Sequence, residues 1–190
     1  MTRLVPPRPD CSGRDLGPSL PCYGPAGLCL GLAVTLPCWL FYLLLTHRAP
    51  AEPLLCAALA AWLWMALEAW STRGLHWDGL ADLGDASGSG AQGERFWAIL
   101  RDSRLGAFGA LHLLLAFGGM WLTVCWHIKA GQWVWLVAAP AWGRACVVWL
   151  ATLAPPREPD SLGGLTCAGA SHALAGWYAL AALLALCGLA

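Results

Sequence analysis

The sequence predicts an all-α, polytopic integral membrane protein, a helical bundle with about five transmembrane helices. Of the 190 residues, 58% are hydrophobic and only 12% are charged, far below the charged fraction of an ordinary soluble domain. The apolar residues are gathered in runs of about 20, the length of a helix that crosses a bilayer. Many of the 13 tryptophans stand near the ends of these runs, as in an interfacial aromatic belt.

Five apolar segments are long enough, or nearly long enough, to be spans. A span needs about 20 residues, because each helical residue rises about 1.5 Å and the hydrocarbon core is about 30 Å thick. We therefore predict a single membrane domain, residues 1–190, in which a polar catalytic segment, residues 71–106, separates the second span from the third. The predicted spans cover residues 26–46, 53–70, 107–126, 133–154 and 172–190.

The distribution of basic residues predicts the orientation of the chain. Cytoplasmic loops are enriched in Lys and Arg, and with the N-terminus inside, only Arg48 and Lys129 fall on the outer side. Residues 1–25 are interpreted as a cytoplasmic lead-in, because their arginines and prolines do not fit a cleaved secretory signal. Segment 71–106 is then cytoplasmic as well. The arginines on the inner side are Arg3, Arg8, Arg14, Arg73, Arg95, Arg101, Arg104 and Arg157.

Composition and motif content exclude several functions. The 11 basic and 11 acidic residues give a formal net charge of zero, so no nucleic-acid partner is predicted, because that binding needs clustered basic residues. The nine cysteines are scattered without CxxC pairs and are interpreted as small buried apolar residues. There is no GxxxxGK[ST], HExxH or GxSxG motif and no GxGxxG after a strand, so those chemistries are set aside.

Three aspartates in the polar segment form the most informative pattern. Asp78, Asp82 and Asp85 stand at i, i+4 and i+7, which on a helix places their carboxylates along one face. Carboxylates about 6 Å apart repel by roughly 3 kcal/mol at an effective dielectric of about 20, and a divalent cation would reverse that repulsion. Oxygen donors favour Mg²⁺ over Zn²⁺, so all three residues are predicted to bind Mg²⁺. The alternative is a solvated acidic helix face.

A second polar element, residues 101–106, precedes the third predicted span, and residues 94–104 are interpreted as an amphipathic helix. Arg101 and Arg104 are predicted to bind substrate phosphate, because guanidinium groups bind phosphate oxygens and neutralise charge that develops in phosphoryl transfer. Anchoring of the span by positive charge is the alternative. Ser103 adds a hydroxyl to this substrate-binding element. Asp102 is interpreted as a catalytic general base or as a further metal ligand.

Two residues outside these patterns are also candidates. His76 precedes the first aspartate by two residues and is interpreted either as a catalytic contact to a phosphate or leaving group, or as a helix-end residue. Arg144 lies inside the fourth predicted span. Because charge at membrane depth usually faces a polar cavity or a partner, Arg144 is predicted to bind substrate.

The stretch Gly74-Leu75-His76-Trp77-Asp78-Gly79-Leu80-Ala81-Asp82, with Asp85, the arginine element and Gly109 after it, closely resembles the cobalamin-5'-phosphate synthase (adenosylcobinamide-GDP ribazoletransferase) family. The resemblance implies a bacterial inner-membrane enzyme that joins adenosylcobinamide-GDP to alpha-ribazole, or its 5'-phosphate, with Mg²⁺ and release of GMP. The lipid bilayer is the expected surrounding. A homo-oligomer, or association with other cobalamin-assembly enzymes, is left open.

Departures from that family's pattern keep alternatives open. Ala86 follows the third aspartate, where the family usually has glycine, and no counterpart of the family's C-terminal Gly-rich stretch with a Gly-Asp pair, or of its final apolar segment, precedes Ala190. A shortened, degenerate or partner-dependent enzyme is one alternative. Another is a CDP-alcohol phosphotransferase-like enzyme, although the GxxxDxxxD pattern expected after the first aspartates does not follow Asp85. A non-enzymatic cation-binding transporter or subunit is the third.

Overall fold

The computed structural model describes residues 16–154 and 156–189, and every regular element in those two ranges is helical. The predicted all-α class is therefore confirmed. The predicted lead-in lies outside the described residues as far as residue 15. The elements are α1 (Leu16–Ser19), a 3₁₀ turn (Leu20–Cys22), α2 (Tyr23–Arg48), α3 (Pro53–Thr72), α4 (Leu75–Gly88), α5 (Gly93–Leu100), α6 (Ala107–Lys129), α7 (Trp133–Leu153), α8 (Leu162–Cys167) and α9 (His172–Leu189).

Four of these helices are long and apolar enough to cross a membrane. They are α2 together with the turn before it (Gly17–Arg48), then α3, α6 and α7. The apolar stretch of α9, His172–Ala185, is shorter than these four helices. The prediction of about five spans is confirmed as four to five long apolar helices, an arrangement typical of a multi-pass membrane protein.

Large apolar side chains point away from the protein along these helices. Leu114 and Leu115 of α6 are 72% and 67% exposed, and Leu150 of α7 is 66% exposed. Contiguous apolar surface of this kind is unfavourable in water. It is favourable against lipid, where a helix satisfies its own backbone hydrogen bonds. The outward leucines therefore support the membrane assignment independently of helix length.

The chain divides into two compact units. Among the described residues, the first unit contains residues 37–132 and the second contains residues 16–36 and 133–189. The boundary inside α2 falls at Pro37, which lacks an amide hydrogen and removes one i to i−4 hydrogen bond from that helix. The single membrane domain remains a prediction.

In the first unit, α6 packs along both α3 and α4, and α4 also packs on α5. The indole Nε1 of Trp121 on α6 donates to the Ala58 carbonyl of α3 at 3.0 Å. Met65 and Trp64 of α3 and Ile128 of α6 are almost fully buried. The two apolar helices α3 and α6 thus hold α4, and α5 is attached through α4.

In the second unit, α2 approaches α7 so closely that its glycines are required. A Cβ atom on Gly27 would lie 2.5 Å from the Ala141 Cα, and one on Gly31 would collide with the Val137 carbonyl. Gly27 and Gly31 form a GxxxG pair, the small-residue spacing that lets membrane helices pack backbone to backbone. The Tyr178 hydroxyl of α9 accepts a hydrogen bond from the Gly24 amide at 2.7 Å, which fixes α9 beside the start of α2.

The backbone turns sharply between α3 and α4. Arg73 has a φ of 58° and Gly74 a φ of 69°, both in the left-handed region. The Gly74 amide donates to the Ala69 carbonyl at 2.8 Å and the Arg73 amide to the Trp70 carbonyl at 3.3 Å, the pattern of a Schellman C-cap. The membrane helix therefore ends at Thr72, and the helix that carries the aspartates starts anew.

Candidate functional site

All three aspartates of the predicted cluster lie on α4, which we call the acidic helix. Asp78 is exposed, whereas Asp82 and Asp85 are half-buried. The helix is fixed in part by Trp77, whose ring centroid lies 6.0 Å from that of Phe117 on α6. The predicted spacing of the carboxylates along one helix is therefore present in the folded chain.

The environment of Asp82 disfavours its charged form. Desolvation raises the pKa of Asp82, and the negative charges of Asp78 and Asp85 raise it further. The folded chain thus disfavours ionised Asp82: the penalty is present above the raised pKa and is relieved as the pH falls through it. A bound divalent cation would relieve the same repulsion at neutral pH.

Asp85 makes contacts that the other two aspartates do not. Its Oδ2 atom accepts a hydrogen bond from the Gly106 amide at 2.7 Å, and its Oδ1 atom accepts one from the Gly109 amide at 2.8 Å. Gly106 is the N-cap residue of α6, so both amides belong to the helix end whose N–H groups have no intrahelical partner. Asp85 therefore caps α6 from a neighbouring helix, and its charge suits the positive end of the helix dipole.

Glycine is required where this carboxylate meets α6. A Cβ atom on Gly106 would collide with Oδ1 of Asp85, and one on Gly109 would collide with Oδ2 and lie 2.8 Å from the Ala81 carbonyl oxygen. A side chain at either position would push the carboxylate away from the amides. The two glycines and Asp85 thus form one contact unit.

The acidic helix and α6 also approach each other further along. A Cβ atom on Gly84 would lie 2.9 Å from Cγ of His112, and one on Gly88 would collide with Phe108. The His112 ring is held by its Nδ1 atom, 2.8 Å from the Phe108 carbonyl oxygen. Small residues of α4 therefore allow α6 to pack closely against α4 beside the aspartates.

Residues 101–106, which we call the arginine loop, are not helical. The amphipathic helix predicted over residues 94–104 ends early, because α5 stops at Leu100. The Asp102 side chain accepts a hydrogen bond from the Arg104 amide at 3.1 Å, and such local side-chain to backbone bonds compete with helix formation. The loop is fixed at its start by the Asp102 amide, 3.0 Å from the Ile99 carbonyl oxygen, and at its end by Gly106.

Inside the loop, Asp102 and Arg104 form a two-point ion pair. The guanidinium Nε donates to Oδ1 at 3.0 Å and Nη2 donates to Oδ2 at 2.6 Å. Hydrogen bonds from Arg104 lower the pKa of Asp102 to about 2. A carboxylate that holds its proton so weakly is a poor general base, so this geometry favours a role for Asp102 in orienting Arg104.

The other predicted site residues are found in three places. His76 is exposed in the first turn of the acidic helix, and Ser103 is exposed in the arginine loop. Arg101 is the C-cap residue of α5. Arg144 belongs to the second unit, where its Nη1 donates to the Pro140 carbonyl at 2.9 Å within α7. The first unit thus brings the aspartates and the arginine loop together through Asp85 and Gly106.

The carboxylates of the acidic helix can be compared with the coordination that Mg²⁺ usually has in proteins. Within residues 16–154 and 156–189, no three His, Cys, Asp or Glu side chains form a ready-made metal site. Asp78 and Asp82 nevertheless supply carboxylates one helical turn apart, and desolvation, together with the charges of Asp78 and Asp85, raises the pKa of Asp82. Mg²⁺ is usually bound through one or two carboxylates together with water and substrate phosphates. The residues therefore fit Mg²⁺ that is bound jointly with a phosphorylated substrate.

Sequence reasoning did not find the capping role of Asp85 or the reason for Gly106 and Gly109. Their spacing, glycines at the N-cap and third position of a helix, is visible in the sequence. It indicates a close approach to the start of α6 but does not say which residue approaches. The partner stands 21 and 24 residues away, so only the fold identifies it.

Comparison with known proteins adds family information. The family model for cobalamin-5-phosphate synthase matches residues 1–190. An adenosylcobinamide-GDP ribazoletransferase of Nitratidesulfovibrio vulgaris strain Hildenborough is 46% identical over 186 residues, 98% of this chain and 71% of that protein. The protein of the same name from strain Miyazaki F is 49% identical over 137 residues, 68% of this chain and 54% of that protein. The one from Bradyrhizobium diazoefficiens is 35% identical over 162 residues, 84% of this chain and 58% of that protein. No solved structure matches the chain.

Charge repulsion on the acidic helix leads to a prediction about stability. In a chelator, Asp82→Asn is expected to raise the melting temperature in detergent, because it removes the disfavoured charge. Adding Mg²⁺ at about ten times the wild-type Kd should stabilise the wild type by about 1.4 kcal/mol and Asp82→Asn by no more than about 0.4 kcal/mol, if Asp82→Asn binds at least about tenfold more weakly. Thermal unfolding with and without Mg²⁺ measures both effects. Equal Mg²⁺ stabilisation of the two proteins would contradict a cation site at Asp82.

Proposed function

The chain belongs to the cobalamin-5-phosphate synthase family, and on that premise we propose that it is a membrane-bound adenosylcobinamide-GDP ribazoletransferase. Identity of 46% over 98% of the chain to a protein of that name supports the assignment. The substrates are adenosylcobinamide-GDP and alpha-ribazole or its 5'-phosphate, and GMP is the leaving group. The reaction takes place at the cytoplasmic face of the bacterial inner membrane, which the bias of arginines towards that side supports.

The reaction is a phosphoryl-group substitution. A ribazole hydroxyl oxygen forms a bond to the phosphorus that carries the corrinoid and releases its proton to water. The bond from that phosphorus to the bridging oxygen breaks, and the bridging oxygen leaves with GMP. Negative charge develops on the transferred group and on the leaving oxygen. The protein therefore has to hold a diphosphate, neutralise its charge and orient the hydroxyl.

One observation carries the proposal: the aspartates and the arginine loop, far apart in sequence, are joined at the Asp85 carboxylate. Asp78 and Asp82 hold Mg²⁺, and Asp85 adds negative charge on the same helix. Mg²⁺ when bound supplies charge neutralisation and Lewis-acid activation of the phosphate oxygens. Arg101, Ser103 and Arg104 bind the phosphate oxygens from the loop.

Three further residues complete the assignment. His76, exposed in the first turn of the acidic helix, contacts the leaving phosphate. Asp102 holds the Arg104 guanidinium in a two-point geometry and so orients it for phosphate. Arg144, a charged residue within an apolar helix, is the predicted substrate-binding residue of the second unit, considered by itself.

The direct test is release of GMP. Purified protein is given adenosylcobinamide-GDP, alpha-ribazole and Mg²⁺, and GMP is followed by chromatography. The wild type should release GMP only when all three are present, and Asp82→Asn should reduce the rate at least about a hundredfold. A folded wild-type protein that releases no GMP, or that transfers only a CDP-activated alcohol, would overturn the proposal.

The role of Asp102 is tested by the pH dependence. Because the pKa of Asp102 is about 2, the residue stays ionised at higher pH and its pairing with Arg104 is lost only as the pH falls towards that value. Asp102→Asn should therefore raise KM about tenfold and leave the pH profile unchanged from about pH 5 to about pH 8. A general base would instead lose about 10² to 10⁴ in kcat together with the acidic limb of the profile. Asp160→Asn, at an exposed position of the second unit, is the control.

A further inference from the structure

Asp85 is the member of the acidic cluster whose oxygens are both engaged by the protein itself. The two amides it binds, those of Gly106 and Gly109, flank the first turn of α6. Asp78 and Asp82 lie on the same helix. Within the described residues, the hydrogen bonds from α6 amides to this helix's aspartates go to Asp85. The three aspartates therefore differ in what they contact, although the regular spacing in the sequence does not distinguish them.

The contact lies beside the phosphate-binding residues. Gly106 is the last residue of the arginine loop, two residues after Arg104, and its amide is the point at which the loop is joined to the acidic helix. At the other end, the loop is joined to α5 by the Asp102 amide. Between these two points, Arg104 is oriented by Asp102. The position of Arg104 relative to Asp82 thus depends on the Asp85 carboxylate.

The steric fit makes this contact specific. The carboxylate lies where Cβ atoms on Gly106 and Gly109 would stand, so the oxygens and the amides meet only because both positions are glycine. An ordinary solvated aspartate needs no such accommodation. A carboxylate committed to a cation would direct its oxygens to that ion, whereas each oxygen of Asp85 is directed to an amide at 2.7 or 2.8 Å.

We propose that Asp85 is a positioning residue: it joins the acidic helix to the arginine loop, so that the cation-binding aspartates and the phosphate-binding arginines are held in a fixed arrangement around one diphosphate. This inference rests on the proposed function for the identity of the diphosphate. In this proposal Asp85 increases substrate affinity by positioning Arg104. The cation is bound chiefly by Asp78 and Asp82.

Three variants separate positioning from metal binding. Asp85→Asn keeps the size of the side chain but leaves one acceptor oxygen, since an amide nitrogen cannot accept a backbone N–H. Gly109→Ala changes none of the aspartates chemically, and its Cβ atom displaces the Asp85 carboxylate and presses on the Ala81 carbonyl oxygen. Gly119→Ala is the matched control on the same helix, because a Cβ atom there meets nothing within 4 Å.

The first measurement is cation affinity, with Mn²⁺ as a paramagnetic probe in place of Mg²⁺. Positioning predicts that Asp85→Asn and Gly109→Ala bind Mn²⁺ within about threefold of the wild type, whereas Asp82→Asn weakens binding at least about tenfold. If Asp85→Asn weakens Mn²⁺ binding as much as Asp82→Asn does, Asp85 is a ligand and the proposal is overturned. If Asp85→Asn does not fold, the Mn²⁺ affinity of Gly109→Ala is compared with that of Asp82→Asn instead.

The second measurement separates positioning from a purely structural role. Asp85→Asn should raise KM for adenosylcobinamide-GDP about tenfold with kcat within about threefold, and Asp85→Asn combined with Arg104→Ala should be no worse than Arg104→Ala alone. Independent, multiplying losses, or an unchanged KM in a protein with a lowered melting temperature, would overturn the proposal.

A failure of the proposed function has a different signature. If the wild type releases no GMP, the transferase assignment fails, while the Mn²⁺ comparison and the affinity for GDP measured with Mg²⁺ still decide the role of Asp85. In that case a loss of GDP affinity shared by Asp85→Asn, Gly109→Ala and Arg104→Ala, but not by Gly119→Ala, supports positioning. Loss in Arg104→Ala alone overturns it.

Discussion

Two hydrogen bonds from the start of α6 to the Asp85 carboxylate connect the parts of the candidate site. The first amides of a helix have no partner within the helix, and here a carboxylate on a neighbouring helix supplies one. Hydrogen bonds to a charged acceptor typically contribute about 1.5 to 3 kcal/mol each. The same contact orders the end of the arginine loop, so that the cap of an apolar helix also sets the geometry of the candidate phosphate site.

The surrounding fold follows from the solvent that the chain occupies. Helices α2, α3, α6 and α7 are long and apolar enough to cross a bilayer, where backbone groups must be paired within the helix. The polar segment between α3 and α6 cannot share that environment. The left-handed residues Arg73 and Gly74 separate the membrane helix from the acidic helix. Close packing of α4 on α6 at Gly84 and Gly88 then holds the carboxylates beside the loop.

Sequence alone predicts what depends on local pattern. Apolar length predicted the spans, and the i, i+4, i+7 spacing correctly placed Asp78, Asp82 and Asp85 on one helix. It did not predict that α5 ends at Leu100, because the competing bond comes from the Asp102 side chain in a segment that also has helical periodicity. It could not distinguish Asp85 from its two neighbours either, since that difference depends on amides more than 20 residues away.

The most direct test of the account is hydrogen exchange at the Gly106 and Gly109 amides of the detergent-solubilised protein. Amides in the first turn of a helix normally exchange quickly, because they have no intrahelical acceptor. Slow exchange of both amides is expected in the wild type and faster exchange in Asp85→Asn, while amides in the middle of α6 stay protected in both proteins. Fast exchange of Gly106 and Gly109 in the wild type, or protection that Asp85→Asn leaves unchanged, would contradict it.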